Sequence, residues 1–319
     1  MPFSPRSLRA FLKIAPRATS FAARNFQIGV PATQELLEHS AEMFVLGYHT
    51  ALDSDDNATL ATSLEQIDQP FRGFAYEGAG MALAILDFFS PWKKRFLPFS
   101  LAEGNDHLYM LYVGWGWSMG RLPRKQIKIT RQNPYDSLLC WLAYDGYGFH
   151  EGFFSWKRRL RQQQRPLTLP PGYARRVFDQ GLGRSLWFVC CGDISAIASA
   201  IGAFPQTRQA DLWSGIGLAC AYAGGKSGAD LQKMLDLSAP FHRQLAQGVA
   251  FAVKARSRAG NMSEHTQQVC HMLCGLSTDK VIKIVDSAAN NLPSDQPEPS
   301  YEVWRQCIQT ALSVPVTST

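Results

Sequence analysis

Acid is missing from the first stretch of this sequence. No aspartate or glutamate precedes Glu35, although Arg6, Arg9, Lys13, Arg17 and Arg24 all do. Charged residues of either sign are only 18% of the 319 residues, below the roughly 25% of ordinary globular domains. The net charge of +6, with no known binding motif, gives no reason to expect DNA or RNA as a partner. Long apolar runs are missing too. Stretches such as Leu212 to Gly225 fall short of the roughly 18–20 residues of a membrane-spanning helix, and mean hydropathy is −0.14. No secretory h-region is present, so export is not expected. Seven cysteines, an odd number with scattered spacing, offer no disulfide framework. They read as small buried hydrophobes in a reducing, cytoplasmic setting.

Catalytic signatures are equally scarce. There is no Walker loop, no Gly-x-Ser-x-Gly elbow and no Glu-x-x-His. Cys270-x3-Cys274, with His265 and His271 nearby, lacks a second cysteine pair, so neither a metal nor a cofactor is expected. Asp53-Ser54-Asp55-Asp56 matches the Asp-x-Asp-Asp string that protonates isoprenoids in some terpene cyclases. Its polar flanks, ending in Asn57, read as a solvated loop.

What the chain does have is a glycine pair that returns about every 34 residues: Gly78-Ala79-Gly80, Gly114-Trp115-Gly116, Gly146-Tyr147-Gly148, Gly181-Leu182-Gly183 and Gly215-Ile216-Gly217. Weaker copies lie at Gly47 and Gly248. A period of this size predicts a stacked two-helix unit. Apolar residues around each copy follow helical spacing, as in Leu138, Leu139, Leu142, Phe149 and Phe153. Between copies come shorter helical patterns, such as the one that opens on Asp193, a good N-cap residue, and ends near Pro205. A mid-helix glycine costs about 0.8–1 kcal/mol against alanine, so close contact must offset it. Four residues after the first glycine stand small residues in every copy except His150, and three before it all are apolar. The second glycine lies about 200° round the helix. Each helix is therefore expected to be approached closely on two sides. A phosphate-cradling loop is the competing reading, but no strand precedes any copy and no Gly-x-Gly-x-x-Gly is completed.

These patterns predict an all-α array of about seven helical hairpins, either a TPR-like solenoid or a closed α/α toroid. Residues 1–40 would be a basic amphipathic segment that caps the array or touches a membrane surface. Residues 41–275 would be the repeats, and 276–319 a C-terminal helical cap, centred on Tyr301 to Leu312, with a tail.

Polar residues sit where such helices should be apolar. Glu77, Asp145, Gln180, Ser214 and Gln247 all stand one before the first glycine. Equal slots of a stacked array line one surface, so a polar ladder is expected, with His150 near the level of Asp145. It could fix helix register by hydrogen bonding. It could also supply buried acids of raised pKa, with Glu77, Asp145 and His150 as proton-transfer candidates. Trp115, Trp117, Tyr147, Phe149 and Trp213, with Gln180 and Gln247, are the candidate lining for an apolar ligand. Basic loops at Ser90 to Arg95, Arg121 to Arg131 and Trp156 to Arg176 would align on one edge. There Lys157, Arg158, Arg159 and Arg161 could dock an acidic carrier or synthase domain, or merely keep the loops soluble.

Several strings are distinctive: Gly73-Phe74-Ala75-Tyr76-Glu77-Gly78-Ala79-Gly80-Met81-Ala82, Tyr144-Asp145-Gly146-Tyr147-Gly148-Phe149-His150, Phe178-Asp179-Gln180-Gly181-Leu182-Gly183-Arg184-Ser185-Leu186-Trp187 and Ala210-Asp211-Leu212-Trp213-Ser214-Gly215. They resemble a bacterial family of unknown function found beside enediyne polyketide synthases, over about Ala10 to Trp304. The resemblance implies an accessory role in specialised-metabolite biosynthesis near a polyene or enediyne intermediate. It implies no catalytic residues. Two functions follow as expectations: a cofactor-independent acid–base enzyme acting on an apolar intermediate, or a non-catalytic scaffold that binds a carrier or synthase through its basic edge.

Overall fold

The computed structural model describes residues 5–122, 136–293 and 298–312, with side chains from residue 9 onward. The expected basic stretch Arg121 to Arg131 therefore lies largely outside the described residues. All regular structure among the described residues is helical.

Each glycine copy lies in the middle of one long helix. These seven inner helices are Pro31–Asp53, Gln69–Phe89, Leu108–Met119, Leu142–Phe154, Ala174–Val189, Gln206–Ala223 and His242–Arg258, and each packs along the next. The local sequence sets their starts. Pro31 and Pro70 occupy first-turn positions, where a missing N–H is harmless. Shorter return helices are capped by side chains: Asp56 accepts from Thr59 N, Asp193 from Ser195 N and Ala196 N, and Ser263 from Thr266 N. Asp56 thus ends the Asp-x-Asp-Asp string as a helix cap. Return helices follow most inner ones, but the fourth is followed only by a π-turn at Lys157–Arg161.

The glycines explain the packing. The first glycine of a pair faces the preceding helix and the second faces the following one. A methyl group on Gly114 would meet the carbonyl of Glu77, and one on Gly146 that of Val113. On Gly181 it would meet that of Asp145, and on Gly215 that of Gln180. The second glycines repeat this in the other direction: Gly80 faces Leu111, Gly116 faces Ala143, Gly148 faces Phe178 and Gly183 faces Leu212. The carbonyls thus come from the polar slot and from the apolar slot three before the glycine. A Cα–H aimed at a carbonyl contributes about 0.5–1 kcal/mol, the same order as the helix penalty of glycine. Added dispersion between the two backbones then tips the balance towards this packing. Side chains on all sides of the second, fourth and fifth inner helices are buried over Gly73–Leu86, Leu142–Phe153 and Val177–Val189.

The row curls back on itself. Phe74 of the second inner helix meets Tyr222 of the sixth, with ring centroids 5.3 Å apart. Arg256 of the seventh donates to the Pro70 carbonyl at 3.3 Å. Thr33 at the start of the first donates to the carbonyl of Gly225, just past the sixth, at 2.9 Å. The C-terminal helix Ser300–Ala311 falls where a cap is expected and is inserted deeply, with Trp304 and Arg305 buried. The boundary expected at residue 40 falls inside the first inner helix, and the one at 275 falls between helices Glu264–Cys274 and Thr278–Ala288.

The N-terminal segment is more than a cap on the first unit. It is tied to the first inner helix by Tyr48 Oη donating to the Leu12 carbonyl (2.9 Å) and by Ile14 N donating to His49 Nε2 (3.0 Å). It then crosses to the fourth, where Arg24 donates to the Phe153 carbonyl at 2.6 Å. It reaches the fifth, where Gln27 N donates to the Val189 carbonyl at 2.9 Å. It is a strap over the concave side of the row. Arg9 and Lys13 pair with Asp55 and Asp53, while Phe11 stands exposed.

Candidate functional site

Beneath this strap lies a cavity of about 40 Å³, where roughly 10–15 Å³ holds one water. Phe44, Phe74, Trp117, Phe149, Phe153 and Phe188 form most of its wall, and Ile14, Ala18 and Thr19 of the strap close it. Helical crossing brings these rings together: Phe44 and Trp117 centroids are 4.3 Å apart, and Trp117 and Phe149 are 5.0 Å apart. Among the described residues, two charged side chains reach the cavity, Glu77 and Arg184.

Those two belong to a buried trio. Arg184 stands one turn after Gln180, on the same face of its helix. Its NH1 donates to Asp145 Oδ1 and its NH2 to Glu77 Oε1, the latter at 3.4 Å. Trp117 Nε1 also donates to Glu77 Oε1, at 2.9 Å. One guanidinium thus serves two buried carboxylates. Burial pushes the Glu77 carboxyl above its usual range, and the negative charge of Asp145 adds to this, outweighing the pull of Arg184 and Trp117. Arg184 moves up as well. Burial opposes its charge, but the two acids beside it prevail. The physical result is a Glu77 carboxyl that holds its proton more readily than usual, beside a tight Arg184–Asp145 pair.

The polar slot forms one hydrogen-bonded line. Gln180 Nε2 donates to Asp145 Oδ2 at 2.8 Å. The single Ser214 hydroxyl proton has Gln247 Oε1 at 3.0 Å and Gln180 Oε1 at 3.3 Å. Arg305 Nε of the C-terminal helix donates to Gln247 Oε1 at 3.0 Å, and its NH2 to Asp211 Oδ1 at 2.9 Å. Asp211 and Glu302 also hold Arg176.

The proposed acid–base set is therefore split. Glu77 lines the cavity. Asp145 is fully buried behind it and reaches the site only through Arg184. His150 lies on another face. Its ring sits beneath Gly120 and packs edge-on to Trp117 at 5.7 Å, with Nδ1 3.6 Å from Glu151 Oε1. Burial lowers its pKa despite Glu151. Asp145 and His150 fall five residues apart, about 500° of helix rotation, which explains their separation. Of the proposed lining, Trp117 and Phe149 face the cavity. Trp115 instead packs on Phe96 and Tyr112. Tyr147 bonds Thr168 at 2.6 Å and packs on Phe178. Trp213 is buried elsewhere, and Gln180 and Gln247 are absorbed in the polar line.

The basic edge is likewise reduced. Arg159 is buried and paired with Glu151. Arg165 pairs with Asp179, and Arg176 with Asp211 and Glu302. Lys157, Arg158 and Arg161 remain exposed, with Lys157 and Arg161 resting on the Trp156 ring. Sequence reasoning gave no site role to Arg184, Phe44, Phe153, Phe188 or Arg305. An arginine inside a glycine-rich apolar helix was the available signal for Arg184.

Fold and site together define a class: a curled helical array, zipped by glycines, around a small aromatic cavity with one carboxyl and one guanidinium at its edge. The chain belongs to the DUF1702 family, described as a protein of unknown function, which matches residues 6–312. No curated protein and no solved structure matches it. No helix among the described residues is long and apolar enough to cross a membrane.

Proposed function

We propose that the protein binds an apolar, polyene-derived intermediate in the cavity under the strap and acts on it without a cofactor, as an accessory protein of enediyne or related polyketide biosynthesis in the cytoplasm. The observation that carries this reading is Glu77, a buried carboxyl at the edge of an otherwise aromatic cavity. Such a group can give or take a proton where water does not compete. Asp145 acts through Arg184 as a positioning residue, and His150 has no part in the step. The pathway assignment rests on the resemblance of the Gly73–Ala82 and Phe178–Trp187 strings to a family found beside enediyne synthases. The test is native mass spectrometry of the full chain recovered from its producing cells, alongside metabolite profiles. A retained small molecule that disappears in Phe149→Trp, with an altered product in Glu77→Gln, supports the reading. An unchanged product in a folded Glu77→Gln removes it.

A second reading is a scaffold. The exposed Lys157, Arg158 and Arg161 around Trp156, next to Arg24, would dock an acidic carrier or synthase domain. Charge reversal at Lys157 and Arg158 would then abolish pull-down, while Glu77→Gln would leave every readout unchanged.

A further inference from the structure

A groove of about 500 Å³ runs between the strap and the π-turn, outside the aromatic cavity. Arg24 and Asn25 of the strap line it, with Ser155, Trp156, Lys157 and Arg158 from the end of the fourth inner helix and the turn. Among the described residues, no carboxylate lines this groove and none pairs with Arg24, Lys157 or Arg158. Nearby arginines of the same basic run differ: Arg159 has Glu151 and Arg165 has Asp179. Neutralisation stops at the edge of the groove. Arg24 is the unusual member of the set. Its guanidinium is half-buried against Phe26, Phe153 and Phe154, with Cζ 4.7 Å from the Phe154 ring centroid. Burial lowers its pKa, and no acid raises it again. Its Nη2 donates to the Phe153 carbonyl at 2.6 Å, and its buried Nε has no acceptor. A cation drawn out of water without a counter-ion is unfavourable, and an anion beside it would offset this.

We propose that this groove binds a phosphate monoester, held between Arg24 of the strap and Lys157 and Arg158 of the turn. Three cations without an acid suit a dianion with three terminal oxygens better than a single carboxylate, which would leave most of the positive charge unanswered. Asn25 and Ser155 line the same space and can donate to the remaining oxygens. The site goes beyond both readings above. It does not involve the cavity, and a small anion reaches the half-buried Arg24 more readily than do carboxylates on a docked protein face. Strap and turn already touch here, where Trp156 Nε1 donates to the Arg24 carbonyl at 3.1 Å. A phosphate bonded to both sides would tie them together and hold the strap closed.

Calorimetry on the full-length protein with inorganic phosphate, methyl phosphate and acetate tests this. Both phosphates are expected to bind at least about tenfold more tightly than acetate. Arg24→Gln should weaken phosphate binding by about tenfold, and Arg158→Gln should weaken it severalfold. Glu77→Gln should bind phosphate as the unaltered protein does. Added phosphate should also slow amide exchange across residues 16–28 of the strap. Should Arg24→Gln fail to fold, Arg158→Gln on the exposed turn decides in its place. Mixed phosphatidylcholine–phosphatidate vesicles separate the sources of the monoester. Retention on them that methyl phosphate reverses assigns it to a lipid headgroup, and no retention assigns it to a soluble ligand. Equally weak binding of phosphate and acetate overturns the proposal, as does phosphate binding that Arg24→Gln leaves unchanged. Binding that leaves strap exchange unaltered overturns the tie between strap and turn.

Discussion

Gly146 lies with its α-carbon against the carbonyl of Val113, and no methyl group fits between them. Contacts of this kind recur between successive inner helices and set their distance. Gly146→Ala is expected to destabilise the protein by about 1–3 kcal/mol or more, through overpacking of two backbones that cannot yield. Gly202, at the end of helix Ile194–Gly202, has nothing near its missing side chain. Gly202→Ala should therefore stabilise, by up to ~1 kcal/mol. Urea unfolding of the two variants checks this, and equal effects would contradict the zipper.

A second prediction concerns the buried trio. Removing one partner of a buried ion pair costs about 3–5 kcal/mol. In Asp145→Asn, however, Arg184 still has Glu77 in reach, and the loss of the neighbouring negative charge lowers the Glu77 pKa. The pH at which the protonated-carboxyl infrared band of Glu77 disappears, the band being identified by its absence in Glu77→Gln, should therefore fall in Asp145→Asn. The two substitutions should also couple by more than ~1 kcal/mol in a double-mutant cycle. Strict additivity would mean that the acids do not share one cation.

The trio also marks where sequence reasoning stops. The glycine pairs, the polar slot and the Asp193 cap could be read directly, because each depends on contacts at a fixed spacing. Asp145 and Gln180, in equal slots of adjacent helices, do meet. Glu77 and Arg184 stand 107 residues apart, and only the curl of the row brings them together. Nothing periodic announces that curl. The basic run from Lys157 to Arg176 misled for a related reason: its acids, Glu151, Asp179, Asp211 and Glu302, come from other segments. His150 stood at the right height but on the wrong side of its helix.

Acid should weaken the fold through His107. Its ring is stacked on Tyr76 at 3.9 Å, and burial, helped by the charge of Arg72, lowers its pKa to about 4. The unfolded chain titrates near 6.5. The unfolded state thus binds more protons between these values, so this contribution to stability is complete above pH ~6.5 and lost as pH falls towards ~4. The shift corresponds to roughly 3 kcal/mol. His107→Gln should flatten the stability curve over that window in denaturant titrations at stepped pH. An equally steep fall in the variant would assign the acid sensitivity to other groups.

The C-terminal helix offers a fourth test. Arg305 is fully buried and bonded to Gln247, Asp211 and Glu302. Arg305→Met should cost about 3–5 kcal/mol by stranding acids in the interior. Amide exchange should rise first in the sixth and seventh inner helices, which Arg305 contacts. Loss confined to the C-terminal helix itself would show that it is an appendage.

The strap is made well before its final anchor. Gln27 bonds Asp193, 166 residues further along. Until residues 153 to 193 are made, Arg24 and Gln27 lack their partners, so the strap can close over the cavity only once the fifth inner helix is in place.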